Sequence, residues 1–270
     1  MTIKFQLRIA AVACLVWLTG LPVFAQKSNA CDGNWTGDRA SFCVVREQTI
    51  PAAGGTLTVD GRQNGGVAVK GWDRAEILVK SKVQTWADTD SEAQSLANEI
   101  QIQTAGNQIR AEGPANDGSK HQGWAVSFEL FVPFNSDLSL KAHNGGISVS
   151  QVRGRIDFET VNGGVALNQL AGTVHGQTVN GGVAIELSGD RWDGEGIDVK
   201  TTNGGVNLVV PQNYSARLEA STVHGGFKVD VPVAASSGKI ERNLSVDLGS
   251  GGSLVRVATT NGGVTVRRKA

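Results

Sequence analysis

Paired carboxylates are the first chemistry this chain could carry. Asp157 with Glu159, Asp190 with Asp193, and Asp198 resemble the aspartate clusters with which some β-helix enzymes cut acidic polysaccharides. Asp157 and Glu159 alternate with Ile156 and Phe158, so the apolar pair takes the inward face and both acids point to water. A solvated face is the better reading, and no catalytic residue is assigned. The histidines are His121, His143, His175 and His224, and no helical or strand spacing among them suits a metal. Thr173-Val174-His175-Gly176 and Thr222-Val223-His224-Gly225 read as one phrase used in two places. There is no P-loop, no dinucleotide fingerprint in a strand–helix setting, no nucleophile elbow and no calcium-binding nonapeptide. No metal or cofactor is expected.

Binding chemistry is better represented. Trp72-Asp73 and Trp192-Asp193 sit among charges and glycines, where turns belong. Exposed indoles there would stack on sugars or anchor a partner, so Trp72 and Trp192 are the candidate partner contacts. The alternative is that they plug the ends of the core.

The first 25 residues read as a secretory signal. Lys4 and Arg8 precede an apolar run from Ile9 to Leu18, and Val23-Phe24-Ala25 suits cleavage before Gln26. The mature chain then has 25 acidic and 23 basic residues, a net charge of −2, which argues against nucleic acid as a partner. No second apolar stretch of membrane-spanning length follows. Periplasm or extracellular space is the expected location. Cys31 and Cys43 survive cleavage as an even pair, and in an oxidising compartment they predict a disulfide rather than two free thiols.

The elements that must position these residues are set by a repeat. Asn-Gly-Gly occurs at 64–66, 144–146, 162–164, 180–182, 203–205 and 261–263, with His224-Gly225-Gly226 as a variant. From 144 the spacings are 18, 18, 23, 21 and 37, the last read as two periods with Gly249-Ser250-Gly251-Gly252 as a degraded copy. Strict alternation follows each triplet, as in Ile147 and Val149, Val165 and Leu167, or Val183, Ile185 and Leu187. A second alternating segment comes next in most units, as in Ile156 and Phe158. Near-constant spacing favours stacked coils over hairpins, because hairpins need no fixed period. Asn and Gly suit corners that require positive φ. Stacking would bring Asn144, Asn162, Asn180 and Asn203 into one column of side-chain amides. The fold class is therefore all-β, a β-solenoid of 18–23-residue coils. The last strand, Val264–Val266, is the expected exposed edge through which copies could associate, with Arg267, Arg268 and Lys269 as its charge guards.

The first half is less regular. Strands are expected at 56–60, 66–70, 76–83 and 124–132, a hairpin around Ala105-Gly106-Asn107, and one helix at about 90–99 behind the capping candidates of Asp88–Glu92. The divisions are a signal at 1–25, an N-terminal loop at 26–43, a β-rich section at 44–140 and the repeat coils at 141–268.

Across about 44–268 the order of these elements resembles a bacterial family of exported domains that carry the label "putative adhesin" and are otherwise of unknown function. The resemblance rests on Gly65-Gly66-Val67-Ala68-Val69-Lys70-Gly71-Trp72-Asp73, the following helix, Phe131-Val132-Pro133, Leu138-Ser139-Leu140-Lys141, Gly145-Gly146-Ile147-Ser148-Val149 and the Asn-Gly-Gly units. Asn-Gly-Gly stands where that family often has Ser-Gly-Asp. The resemblance implies a β-solenoid-like fold at the cell envelope and no enzyme site. The function expected is a non-catalytic envelope or surface module that presents an elongated face to a protein or glycan. The alternatives are a β-helix polysaccharide lyase or hydrolase, and a structural or stress-sensing envelope protein.

Overall fold

The computed structural model describes residues 25–26, 31, 39–115, 121–231 and 242–269. The signal sequence up to Phe24 and Trp35 lie outside the described residues. Among the described residues no helix is long and apolar enough to cross a membrane.

From Asn144 onward, each alternating segment behind an Asn-Gly-Gly corner is a strand of four or five residues: Ile147–Ser150, Val165–Asn168, Val183–Glu186, Val206–Val210 and Val264–Arg268. Each partner segment is a strand of eight to ten residues: Arg153–Asn162, Ala171–Asn180, Gly196–Asn203, Ala216–His224 and Leu254–Asn261. The short strands join one sheet of eleven and the long strands another of ten. Pairing between units is parallel and in register, so Val67, Ile147, Val165, Val183 and Val206 form one column and Ile156, Val174, Ile197 and Val255 another. These columns are at most 3% exposed and face each other across the core. Period-two sequence thus becomes two half-buried sheets that share one interior.

The less regular first half continues both sheets. Val67–Trp72 pairs Ile147–Ser150 on the short-strand side, and Leu57–Asp60 pairs Leu138–Ala142 on the other. Three long antiparallel strands, Ala40–Pro51, Glu76–Ala87 and Gly123–Pro133, extend the short-strand sheet. The helix Asp90–Glu99 lies against the first two. Thr89 and Glu92 form a capping box at its start. At its end Arg46 donates to the carbonyls of Ala97 and Ile100 at 2.6 and 2.5 Å, which supplies orphan acceptors with a cation. The expected hairpin is present, with Gln101–Gln103 antiparallel to Gln108–Glu112.

Two expectations are corrected. The units do not stack in chain order. Leu254–Asn261 lies between Gly196–Asn203 and Ala216–His224, and Val264–Arg268 lies between Val206–Val210 and Phe227–Asp230. The stretch Gly249–Gly252 is therefore no degraded corner. It is a positive-φ connection from the antiparallel strand Asn243–Leu248 into the inserted unit. Val264 and Val266, 1% and 0% exposed, are interior and form no edge. The second correction concerns glycine. None of the Asn-Gly-Gly glycines has positive φ. A Cβ on Gly145, Gly163, Gly181 or Gly204 would instead lie 2.0–2.2 Å from a carbonyl oxygen of the glycine stacked beneath it. Close approach of backbones demands the missing side chain, not a left-handed turn.

Candidate functional site

The corner column is a continuous polar spine. Asn144 donates its side-chain N–H to Asn64 Oδ1 at 3.0 Å, and Asn162, Asn180, Asn203 and Asn261 each donate to the next asparagine at 2.8 Å. His224 stands beside Asn261 as the next member in register. Two residues before Asn162, Asn180, Asn203, His224 and Asn261 stands a threonine missed in the sequence: Thr160, Thr178, Thr201, Thr222 and Thr259. All five are at most 5% exposed, and each donates its hydroxyl to a glycine carbonyl of the neighbouring unit at 2.8 Å. The repeated unit is thus Thr-x-Asn-Gly-Gly, and its polar atoms satisfy one another rather than a ligand.

The outer face of the short-strand sheet carries a trough of 1130 Å³. The second glycine of each corner (Gly66, Gly146, Gly164, Gly182, Gly205, Gly263) and a row of small side chains (Ala68, Ser148, Ala166, Ala184, Asn207, Thr265) form its floor. Val45, Glu47, Lys80 and Lys82 of the long antiparallel strands line its far end. Glu47 and Lys80 are ion-paired at 3.1 Å. The trough crosses at least six parallel strands, so it is elongated along the stacking direction and continuous in backbone. Its signal was already in the sequence. Outward positions of half-exposed strands ordinarily carry charged or bulky residues, whereas here they are small.

The outer face of the long-strand sheet holds the acids. Ser139, Asp157, His175, Asp198, Arg256 and Glu219 fall in one register row across six strands. Asp157, Glu159, His175 and Asp198 share a 320 Å³ hollow with Lys141 and Lys200. Parallel pairing brings these acids together, and each has a partner on its own or a neighbouring strand. Arg155 holds Asp157 at 2.9 Å, Gln177 reaches Glu159 at 3.3 Å, and Asp198 lies 3.4 Å from Arg256 and 3.6 Å from Lys200. The hydrogen bond and charge of Glu219, with Asp198 beyond it, raise the Arg256 pKa further above its ordinary value. Asp193 pairs with Arg153 and Asp190 with Arg191, away from this hollow. The Arg191 hydrogen bond and charge lower the Asp190 pKa, so this carboxyl is suited to remain ionised rather than to donate a proton. Among the described residues no three His, Cys, Asp or Glu side chains are arranged to hold a metal ion.

The aromatic candidates separate. Trp72 is half-buried. Its indole N–H donates to the Glu76 carbonyl at 2.9 Å, its ring lies 5.6 Å from that of Phe131, and Arg74 stacks over it at 4.8 Å. Trp192 is 5% exposed and donates to the Gly172 carbonyl at 2.9 Å. It plugs the core beside a corner and is not a surface contact, because a buried indole with a satisfied N–H has nothing left to offer a partner. Cys31 and Cys43 are joined, with their Cα atoms 5.7 Å apart.

Among curated proteins none matches the chain by sequence. Several solved structures resemble it loosely. A "putative cell adhesion protein" from Clostridium sporogenes covers 83% of this chain and all of its own, at 10% identity and a TM-score of 0.41. A "putative adhesin" from Bacteroides fragilis covers 84% of this chain and 97% of its own, at 9% identity and a TM-score of 0.35. Another "putative adhesin", from Parabacteroides merdae, covers 84% and 96%, at 11% identity and a TM-score of 0.30. The family model described as Toastrack DUF4097 matches residues 45–267, most of the chain, and the protein is a member of that family.

Proposed function

We propose that this chain is an exported, non-catalytic module of the cell envelope, adhesin-like in action, that seats an elongated protein or glycan along one face of a β-solenoid of 18–23-residue coils. The observation that carries the reading is the trough. It is long, shallow and floored by backbone and small side chains, a shape that suits an extended chain laid across the strands rather than a compact substrate. Its regularity comes from in-register pairing, so the same contact is offered at every unit. The disulfide supports export, since such bonds persist in oxidising compartments. The pairing of each acid with a cation or an amide supports a solvated charged face over a hydrolytic centre.

The test uses the mature chain and a variant with Ala166→Arg and Ala184→Arg, two long cations placed in the trough. Retention on washed bacterial and host cells, on purified peptidoglycan and on acidic polysaccharide is measured by co-sedimentation. Wild type should be retained on at least one of these surfaces, and the variant should lose that retention while melting at the same temperature. Equal retention would move the contact elsewhere. Release of new sugar ends from acidic polysaccharide, abolished by Asp198→Ala, would establish the lyase or hydrolase reading instead.

A further inference from the structure

The stack is finished differently on its two sides. On the long-strand side the last parallel strand, Ala216–His224, is covered by the antiparallel strand Asn243–Leu248. On the short-strand side Phe227–Asp230 pairs only with Val264–Arg268 among the described residues, and it ends the sheet. The inward columns stop there. Phe227 and Val229 continue the columns of Val264 and Val266, yet they are half-exposed where those two are buried. A Cβ on Gly226 would meet nothing within 4 Å, so the corner is open as well. A row of backbone groups with no strand partner among the described residues, beside half-covered apolar side chains, is a template for one more strand.

The order of residues selects the occupant. Phe227-Lys228-Val229-Asp230-Val231 reads apolar, base, apolar, acid, apolar. Turned end for end about Val229, it reads apolar, acid, apolar, base, apolar. A second copy laid antiparallel with Val229 opposite Val229 therefore sets Lys228 against the second copy's Asp230, twice by symmetry. It also sets Phe227 against the second copy's Val231 on the inward face. The charged members are exposed, and Val229 and Val231 pack on the end of the core. An isologous twofold contact requires such a self-complementary patch. We propose that Phe227–Val231 is a homodimer edge, through which two copies join their short-strand sheets into one continuous sheet. Of the basic tail, Arg267 lies beside Asp230 in register on the neighbouring strand. Lys269 is held in the stack by an ion pair to Glu186 at 2.6 Å and a backbone bond to Val210 at 2.8 Å.

Sedimentation velocity of the mature chain, from micromolar to millimolar, tests this. Wild type should dimerise. Lys228→Asp sets acid against acid at both positions, and Asp230→Lys sets base against base. Each should weaken the dimer by roughly tenfold or more, from two cross-strand pairs turned from attractive to repulsive. Both side chains are exposed, so melting curves should be retained. An equimolar mixture of the two variants restores opposite charges at both positions and should dimerise as wild type does. Neutralising Arg268 and Lys269 should change nothing. A wild type that stays monomeric throughout, a dimer indifferent to both variants, or a mixture that fails to recover would each overturn the proposal.

Discussion

The two glycines of one corner should respond to alanine in opposite senses. A Cβ on Gly163 would lie 2.1 Å from the carbonyl oxygen of Gly145 and 2.4 Å from its carbon. Ordinary contact begins near 3.4 Å, so the two backbones would have to separate by more than an ångström. Neither can yield cheaply. An added Cβ on Gly145 would likewise lie 2.2 Å from Gly65 O and one on Gly181 2.0 Å from Gly163 O, so the neighbouring corners are stacked as closely, and Gly163 O accepts the Thr178 hydroxyl. The next residue, Gly164, would place its Cβ 3.5 Å from the carbonyl of Gly182, an ordinary contact. Since neither glycine has positive φ, alanine reduces the freedom of the unfolded chain at both sites, a gain of about 0.5 kcal/mol. At Gly163 overpacking outweighs that gain, for a net loss of about 2 kcal/mol, or roughly 4–8 °C in melting temperature. Gly164→Ala should be neutral or slightly stabilising. Urea unfolding of the two variants, with an unchanged denaturant slope, measures the difference. Equal losses at both positions would mean that backbone freedom, and not close stacking, explains the repeat. No loss at either would refute the stacking distance itself.

Three further outcomes follow from the geometry. Thr178→Val removes one buried hydroxyl that donates at 2.8 Å and leaves the Gly163 carbonyl short of a partner; urea unfolding should show a loss of about 1–2 kcal/mol, and Thr178→Ser should recover most of it. Tyr214, the single tyrosine, is 3% exposed, its hydroxyl has no hydrogen-bond partner, and burial, with a smaller effect of Asp190, raises its pKa. A raised folded value means that stability is fully present below the unfolded tyrosine value, near 10, and is lost as pH rises beyond it. Phenolate absorbance should therefore appear only together with loss of the circular-dichroism signal, and Tyr214→Phe should be neutral or stabilising at pH 7; phenolate appearing at pH 10 in a folded protein would contradict this. Reducing the Cys31–Cys43 bond, which joins residues 12 apart, should lower stability by about 3 kcal/mol by the chain-entropy account, and a melting temperature unmoved by reductant would count against that.

Much of the architecture was legible because alternation has one physical meaning. A segment such as Val183-Ala184-Ile185-Glu186 can bury only one face, and a recurring corner phrase aligns like residues. What pattern cannot supply is the order of stacking. His224-Gly225-Gly226 and Asn261-Gly262-Gly263 suit either slot, since parallel register asks only that each phrase lie beside another. The choice is made by packing between segments far apart in the chain. The same limit applies to the charged face. That Asp198 points outward follows from its neighbours Ile197 and Val199, but its partner Arg256 is 58 residues away. For Trp192 the sequence left two readings open, partner contact and core plug, for a related reason. Its setting among Asp193, Gly194 and Gly196 describes a turn, yet the turn folds the indole inward onto Gly172. The threonine spine went unnoticed because Thr in a strand is unremarkable until its hydroxyl is seen to point along the stack.

The inserted final unit has a consequence for how the molecule is made. In an ordinary repeat array, each unit docks on the one before it, and a shortened chain still folds as a shorter array. Here residues 254–268 occupy a berth between two segments that precede them in the chain. Strands Ala216–His224 and Phe227–Asp230 have their parallel neighbours only once residues 254–268 arrive. A chain cut short before Leu254 would leave a gap beside Gly196–Asn203 and Val206–Val210, near the end of both sheets. A copy lacking residues 254–268 would therefore present itself to proteases as unfinished.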